Sequence, residues 1–407
     1  MTTIDTNIQS ALAEQAETRA QLVATAHELI PLLRKNGEQS ERDRRLVDES
    51  ALAMRSAGLL QACGPRRAGG SGGNAQTLIE VVSELCRGDG SAGWVAMIAN
   101  MTAWTMGLLP DDARDAVYGD DPHTVSISQF GAGGTGVPTK DGYRITGKWP
   151  FASGCYQAQW TISGFMVLDD AGKPQEIRWA LMPIAEMEIK DSWYVAGMAG
   201  TGSNTLIADD LVVPKHWTID ADTFLGRTFP RWHSDETAYR SSVSAIACLG
   251  LGAPLLGMAE AVWDITVEVM NGGRSISNWN YDDARESPGW RSALAEARTA
   301  IDTGRLHLLR GAQDMDRAAQ EDRVLSLDER ARLKSDQAIA TTNLRTAVDL
   351  LLDINGTRSF ALSNPLQRFW RDFGTASRHG LNNGPLNREA YALSLTGLDM
   401  SRYAMFL

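Results

Sequence analysis

The chain is short of the features that mark several protein classes. Its four cysteines, Cys63, Cys86, Cys155 and Cys248, are scattered and include no C-x-x-C pair. That spacing gives neither a disulfide framework nor a zinc site. There is no excess of positive charge: 39 Lys and Arg against 50 Asp and Glu leave a net charge of −11. Repulsion therefore disfavours nucleic acid and anionic membrane as partners. No apolar run approaches the roughly 18 residues of a membrane span. The start, MTTIDTNIQSALAEQAETRAQ, has no apolar core like that of a secretory signal, and a cytoplasmic location is expected. The histidines, His27, His123, His216, His233, His307 and His379, include no pair at metal-ligand spacing on one helix, and G-x-S-x-G does not occur. Neither a metal site nor a hydrolase nucleophile elbow is supported.

Two glycine-rich stretches invite a nucleotide-binding reading and fail it. GAGGTG, residues 131–136, fits G-x-G-x-x-G, but VPTKDGYRIT follows, with Pro138 and then period-2 alternation. A dinucleotide fingerprint needs a helix there to meet the pyrophosphate, so a glycine-rich hairpin loop is expected instead. RRAGGSGGN, residues 66–74, lacks the G-K-[ST] ending of a phosphate loop and reads as a flexible connector.

What is present is an ordinary globular composition, 43% hydrophobic and 22% charged over 407 residues, enough for two or three packed layers or domains. Residues 1–120 read as an N-terminal helical domain. The stripe Leu22, Ala26, Leu29, Leu33 has helical period and stops at Asn36-Gly37, and a second interruption is expected between Gly88 and Gly93. Residues 121–226 read as a small antiparallel barrel, with a sandwich as the alternative, HTVSISQF, GYRITGKW, WTISGFMVL, RWALMPI and LIADDLVV being separated by Gly, Pro and Asp turns. Residues 227–407 read as a C-terminal four-helix bundle, with one seam through Leu294, Ile301, Leu308 and Met315 and another through Leu333, Ala340, Leu344, Ala347 and Leu351. The class is α+β.

One stretch does not look like a plain hairpin. In YRITGKWPFASGCYQAQW, residues 143–160, two bulky rings flank a proline and three of the smallest residues follow. GKWPFASG (147–154) resembles the segment that runs along the flavin ring in acyl-CoA dehydrogenase-fold proteins, in the form found in two-component, group D flavin-dependent monooxygenases. GDGSAGWV (88–95), GMAGTGSNTLIADDLVVP (197–214) and RFWRDFGTASRH (368–379) resemble further segments of that branch, in the same order. The α–β–α layout matches that fold as well.

The resemblance implies an oxygenase component that takes reduced flavin, FMN with FAD as the alternative, from a separate flavin reductase. It implies reaction with O₂ through a C4a-hydroperoxide, hydroxylation of a phenolic or polycyclic aromatic small molecule, and a homotetramer. Ser153 matches a serine that bonds near flavin N5, the alternative being a turn serine bonded to backbone. His379 matches a base toward a phenol, the alternative being a helix-end histidine. Trp149 and Phe151 are expected to form a hydrophobic shelf beneath a flavin that approaches over Ala152-Ser153-Gly154. Trp94 is a candidate pocket wall or a core residue. Ser126 and Ser128 share one face of a strand and are candidate flavin contacts or solvent-facing serines. Arg274 matches an arginine that reaches a neighbouring subunit's cofactor phosphate, although Ser277 stands where the family has an aromatic. Three other readings stay open: an N-hydroxylase of nucleotide-linked amino sugars, an acyl-CoA dehydrogenase, and a non-catalytic flavin-binding protein. Against the dehydrogenase, the position eight residues after Asp372 is Gly380, where many of those enzymes carry their glutamate base. Against a simple phenol, WVAMIANMTAW has Asn100, Met101 and Thr102 where related phenol hydroxylases carry a histidine.

Overall fold

A computed structural model describes residues 3–230, 236–399 and 403, with side chains from residue 13 onward. His233 and the outermost residues of the first and last regions lie outside the described residues. The chain runs from helices to strands and back to helices.

The first region contains α1 (Thr3–Glu28), α2 (Ile30–Asp43), α3 (Asp48–Ser56), α4 (Ala75–Gly88), α5 (Gly90–Thr105) and α6 (Asp111–Tyr118). The expected stop at Asn36-Gly37 is overturned. The break falls at Leu29, ahead of Pro31, and α2 runs on to Asp43. Gly37 is glycine for a different reason: a Cβ there would lie 2.5 Å from Asp89 Oδ2 and 2.7 Å from Arg368 Nη2. The connector 66–74 is packed rather than flexible. Gly72 N donates to Gly64 O and Gly73 N to Ala62 O, both at 2.8 Å, and Asn74 then caps α4 by accepting the Thr77 N–H at 3.1 Å. The second interruption narrows to Asp89, which caps α5 by accepting the Ala92 N–H at 2.8 Å.

The strands are β1 (Ser126–Pro138), β2 (Gly142–Ala152), β3 (Trp160–Leu168), β4 (Pro174–Pro183), β5 (Glu188–Lys190), β6 (Asn204–Pro214) and β7 (Thr218–Asp220). Among the described residues they form one sheet in the order β5-β6-β2-β1-β3-β4-β7. The antiparallel barrel is corrected on two points. The sheet is open, running from edge strand β5 to edge strand β7, and β1 pairs parallel with β3, Ser126 opposite Trp160. The cause is the connection 153–159. It leaves the end of β2, beside the start of β1, and passes to the other edge of β1, so β3 must set out in the direction of β1.

GAGGTG is also corrected: it lies within β1 and is not a loop. Bulges fall between Gln129 and Ala132 and between Ala132 and Gly134. A Cβ at Gly133 or Gly134 would lie 2.6 Å from the Trp149 indole, and one at Gly136 would lie 2.5 Å from the Phe165 ring. The glycines let two rings that are at most 1% exposed fold down onto the strand.

The short α7 (Ala221–Phe224) ends the strand region, and the last region holds α8 (Val243–Gly250), α9 (Ala253–Asn271), α10 (Pro288–Gln320), α11 (Leu327–Asn355), α12 (Pro365–Ala376) and α13 (Gly384–Leu395). The two seams are found as read. Ile301, Leu308 and Met315 of α10 are buried, with Leu294 half-buried, and they meet the buried Leu333, Ala340, Leu344, Ala347 and Leu351 of α11. Each such leucine contributes about 1.5–3 kcal/mol on burial. Contrary to the expectation of no long apolar run, Val243–Asn271 is one. Across α8 and α9 it is long and apolar enough to cross a membrane, yet its most apolar window is wholly buried within the protein. One hydrophobic cluster joins α4, α5, α8, α9, α10 and α11 to Ile162, Trp179 and Leu181 of the sheet.

Candidate functional site

Where α5, the start of β1, the end of β2 and the end of α12 converge, they leave a cavity of about 680 Å³. Its wall is built from positions far apart in sequence. Phe151 (φ +62°) and Gly154 (φ +79°) flank Ser153 in the left-handed region, and this double turn brings the serine to the wall. A Cβ at Gly154 would lie 2.9 Å from Val95, so the turn can sit against α5 only with glycine there.

Trp94, one turn into α5, donates its indole N–H to Ser153 Oγ at 3.1 Å. Its ring centroid lies 5.9 Å from that of His379, at 57°. Three of the expected residues, Trp94, Ser153 and His379, thus meet in one cavity. His379 follows the end of α12, and its Nδ1 accepts the Leu381 N–H at 3.3 Å. The ring stands on the cavity wall with its surface open to that space, and the protein packed around the cavity strips enough water from it to hold its pKa below the usual imidazole range. A neutral ring accepting at Nδ1 carries its proton on Nε2. In this arrangement His379 is a donor at Nε2. Accepting a proton at Nε2 requires the other tautomer, which gives up the Leu381 bond.

The remaining candidates separate. Ser128 lines the cavity, its hydroxyl 3.0 Å from Thr102 Oγ1. Ser126, on the same face, lies deeper, 3.4 Å from the Tyr118 hydroxyl and away from the cavity wall. The expected shelf is divided. Phe151 is 68% exposed at the cavity mouth, edge-on to Trp193. Trp149 belongs to the core of the sheet, donating to Gly164 O at 2.7 Å, and only part of it reaches the cavity wall. Arg274 lies away from its own chain's cavity, donating to Ile354 O at 2.6 Å with its guanidinium over Trp290. Of the three residues in place of a histidine, Met101 lines the cavity. Asn100 is committed to the Leu59 and Ala96 carbonyls and the Cys63 N–H.

Several site residues were not singled out from the sequence. Gln129 is 7% exposed and lines the cavity. Its Oε1 accepts from Thr161 Oγ1 at 2.9 Å and Ser163 Oγ at 2.7 Å, while its buried Nε2 has no partner. The T-x-S spacing on β3 was a signal, since residues i and i+2 share a face. Ser203 Oγ lies 2.7 Å from Ser153 Oγ and 2.6 Å from Thr201 Oγ1, and Thr201 donates to Met198 O at 2.7 Å. Beneath Met198, which is itself left-handed (φ +63°), the Asp372 carboxylate accepts the Met198 N–H. Burial first, and the neighbouring Asp89 second, push Asp372 up to about 7. Arg368 Nε, 3.7 Å from Asp89 Oδ2, is the cation of this buried group.

These residues fit a flat, hydrogen-bonding ring system such as a flavin. The cavity has aromatic walls, a hydroxyl at Ser153 and an orphaned amide donor at Gln129. A Cβ at Gly131, also on the wall, would meet no atom within 4 Å.

Comparison with known proteins agrees. The family model described as acyl-CoA dehydrogenase, C-terminal domain, matches residues 249–383. The chain is 31% identical over 363 residues to the flavin-dependent monooxygenase oxygenase subunit HsaA of Mycobacterium tuberculosis, covering 89% of this chain and 92% of that protein. It is 30% identical over 397 residues to the oxygenase component of an FADH₂-dependent resorcinol hydroxylase from a Rhizobium species, covering 95% and 96%. The solved structure of XiaF from a Streptomyces species, in complex with FADH₂ and glycerol, is similar with a TM-score of 0.89 and 32% identity, over 96% of this chain and 98% of that one.

Proposed function

Because the chain belongs to the family of flavin-dependent monooxygenase oxygenase subunits, on the acyl-CoA dehydrogenase fold, we propose that its cavity takes a reduced flavin from a separate reductase and that it hydroxylates a phenolic or polycyclic aromatic compound there. We take the flavin to be FAD rather than the FMN expected from sequence. The support is that XiaF holds FADH₂ and the Rhizobium relative is named for it. A cytoplasmic homotetramer completes the reading. The observation that carries it is the meeting of Trp94, Ser153 and His379 on one apolar cavity.

The bound reduced flavin supplies the activation of O₂. The protein's part is to orient and to exclude water. Trp94 holds the Ser153 hydroxyl at the cavity wall, where it would hydrogen-bond a bound flavin. Trp193, Phe151 and Met198 keep the chamber apolar. His379, neutral and protonated at Nε2, hydrogen-bonds an oxygen of the substrate, and it takes the phenol proton after the tautomer change described above. Among the described residues no carboxylate lines the cavity, and Gly380 stands on its wall, which disfavours the thioester α-proton chemistry of a dehydrogenase.

The test supplies chemically reduced FAD and oxygen without NADH or reductase, with a panel of phenols. The expected result is hydroxylated product from the wild type, with His379→Ala lowering turnover by about 100-fold or more while flavin still binds. Turnover that survives His379→Ala would shift the reading to N-hydroxylation, and bleaching of bound oxidised flavin by an acyl-CoA would shift it to dehydrogenation.

A further inference from the structure

Ser153 is one end of a chain of three buried hydroxyls, and the far end of the chain fixes its direction. Thr201 has one proton, and it lies on the Met198 carbonyl, 2.7 Å away. A carbonyl can only accept, so the 2.6 Å contact between Thr201 and Ser203 must be donated by Ser203. The Ser203 proton is thereby spent, so the 2.7 Å contact between Ser203 and Ser153 must be donated by Ser153. Trp94 Nε1–H, a donor only, occupies one lone pair of Ser153 Oγ. What Ser153 has left for the cavity is its second lone pair. In the protein's own arrangement Ser153 is an acceptor.

The opposite arrangement needs no proton to leave the chain. If all three hydroxyls rotate together, Thr201 donates to Ser203, Ser203 donates to Ser153, and the Ser153 proton points into the cavity. The cost is the bond from Thr201 to Met198 O. That carbonyl is not orphaned, because it also accepts the Trp193 Nε1–H at 3.0 Å and the Thr201 N–H at 3.2 Å. The two directions therefore differ by about one net hydrogen bond, a preference of roughly 2- to 10-fold for the acceptor form.

We propose that Thr201 and Ser203 are positioning residues that hold Ser153 as an acceptor toward the cavity, so that the site selects a ring N–H over a bare ring nitrogen. This deepens the flavin reading and rests on it. N5 of a reduced flavin carries a hydrogen and N5 of an oxidised flavin does not. The relay thus gives preference to the reduced form that the oxygenase must capture and against the oxidised form that it must release.

The test is equilibrium binding of reduced FAD, under anaerobic conditions, and of oxidised FAD to the full-length protein, with the ratio of the two dissociation constants as readout. Thr201→Val removes the acceptor for the Ser203 proton, which then turns to Ser153 and drives the Ser153 proton into the cavity. The preference for reduced flavin is expected to fall by about 2- to 10-fold, through tighter binding of the oxidised form together with weaker binding of the reduced. Ser203→Ala leaves Ser153 free to donate and should move the ratio in the same direction. Thr201→Ser restores the hydroxyl and should restore the ratio, which separates direction-setting from simple packing. Ser153→Ala should leave a ratio that Thr201→Val no longer changes. A ratio unmoved in both Thr201→Val and Ser203→Ala, with both variants binding flavin, overturns the proposal and leaves the flavin reading standing. A wild type that binds neither form overturns the flavin reading itself.

Discussion

Replacing Asp372 by asparagine removes a titration that the fold has built beneath the candidate site. Asp372 and Asp89 are both buried, with the buried Arg368 guanidinium beside Asp89 and the Arg371 charge also felt by Asp372. Burial, with the Asp89 charge second, raises Asp372 from an ordinary 3.8 to about 7, and burial raises Asp89 as well. At 1.36 kcal/mol per pH unit the Asp372 difference corresponds to about 4 kcal/mol. The two carboxyls titrate as a pair, so about 2–4 kcal/mol is the range to expect. Between about pH 4 and pH 7 the native state holds a proton that the unfolded chain has released, so stability falls as pH rises through that window and levels off above it. Asp372→Asn keeps the size and an oxygen for the Met198 N–H but cannot titrate. The assay is denaturant unfolding of both proteins at intervals from about pH 5 to pH 8, plotted as the difference between them. The wild type should lose about 1–3 kcal/mol relative to the variant over that range, the rest of the difference falling below about pH 5. Parallel curves, or a wild type that gains on the variant as pH rises, would refute the reasoning.

Three further expectations follow from particular contacts. Gly37→Ala gains up to about 1 kcal/mol of helix propensity, but its Cβ would crowd Asp89 and Arg368 at an overpacking cost of about 1–3 kcal/mol. The unfolding midpoint should fall, and a rise would mean that nothing needs the glycine there. Gln129→Leu removes the orphaned Nε2 and should weaken flavin binding about tenfold, or 1.4 kcal/mol, in a titration; unchanged affinity would exclude the amide as a ligand contact. Because burial lowers the His379 pKa, the acid limb of the pH profile of kcat/KM should lie below about 6.5. A limb above that value, lost in His379→Ala, would contradict the desolvation argument.

The helical seams were legible because burial on one face imposes a period on the sequence, and α10 and α11 display it at Ile301, Leu308, Leu344 and Leu351. The meeting of Trp94, Ser153 and His379 was legible only through a resemblance, since no local pattern joins positions 94, 153 and 379. Other features were hidden for physical reasons. GAGGTG has the composition of a loop, and the rings that require its glycines, Trp149 and Phe165, lie on β2 and β3. Gln129 follows Ser128 and by strict alternation belongs on the opposite face, but the bulge beyond it breaks the alternation. Asn36-Gly37 carries a helix-stop signal, yet the buried charge pair that needs the space comes from residues 89 and 368. A partner distant in sequence decided the first and the last of these, and a local bulge decided Gln129.

The crossing at 153–159 also bears on how the protein assembles. Ser153 lies on the segment that carries the chain from one edge of β1 to the other, so its position is set only when β2 has paired on the first edge and β3 on the second. The hairpin of β1 and β2 is local and can form early. The parallel pairing of β1 with β3 requires closure of a longer loop and comes more slowly. The fourth participant, Trp94, must arrive with α5 from outside the sheet. During refolding, the ability to bind flavin should therefore appear after most of the helical signal has returned. Flavin fluorescence would then serve as a clock for the last strand pairing.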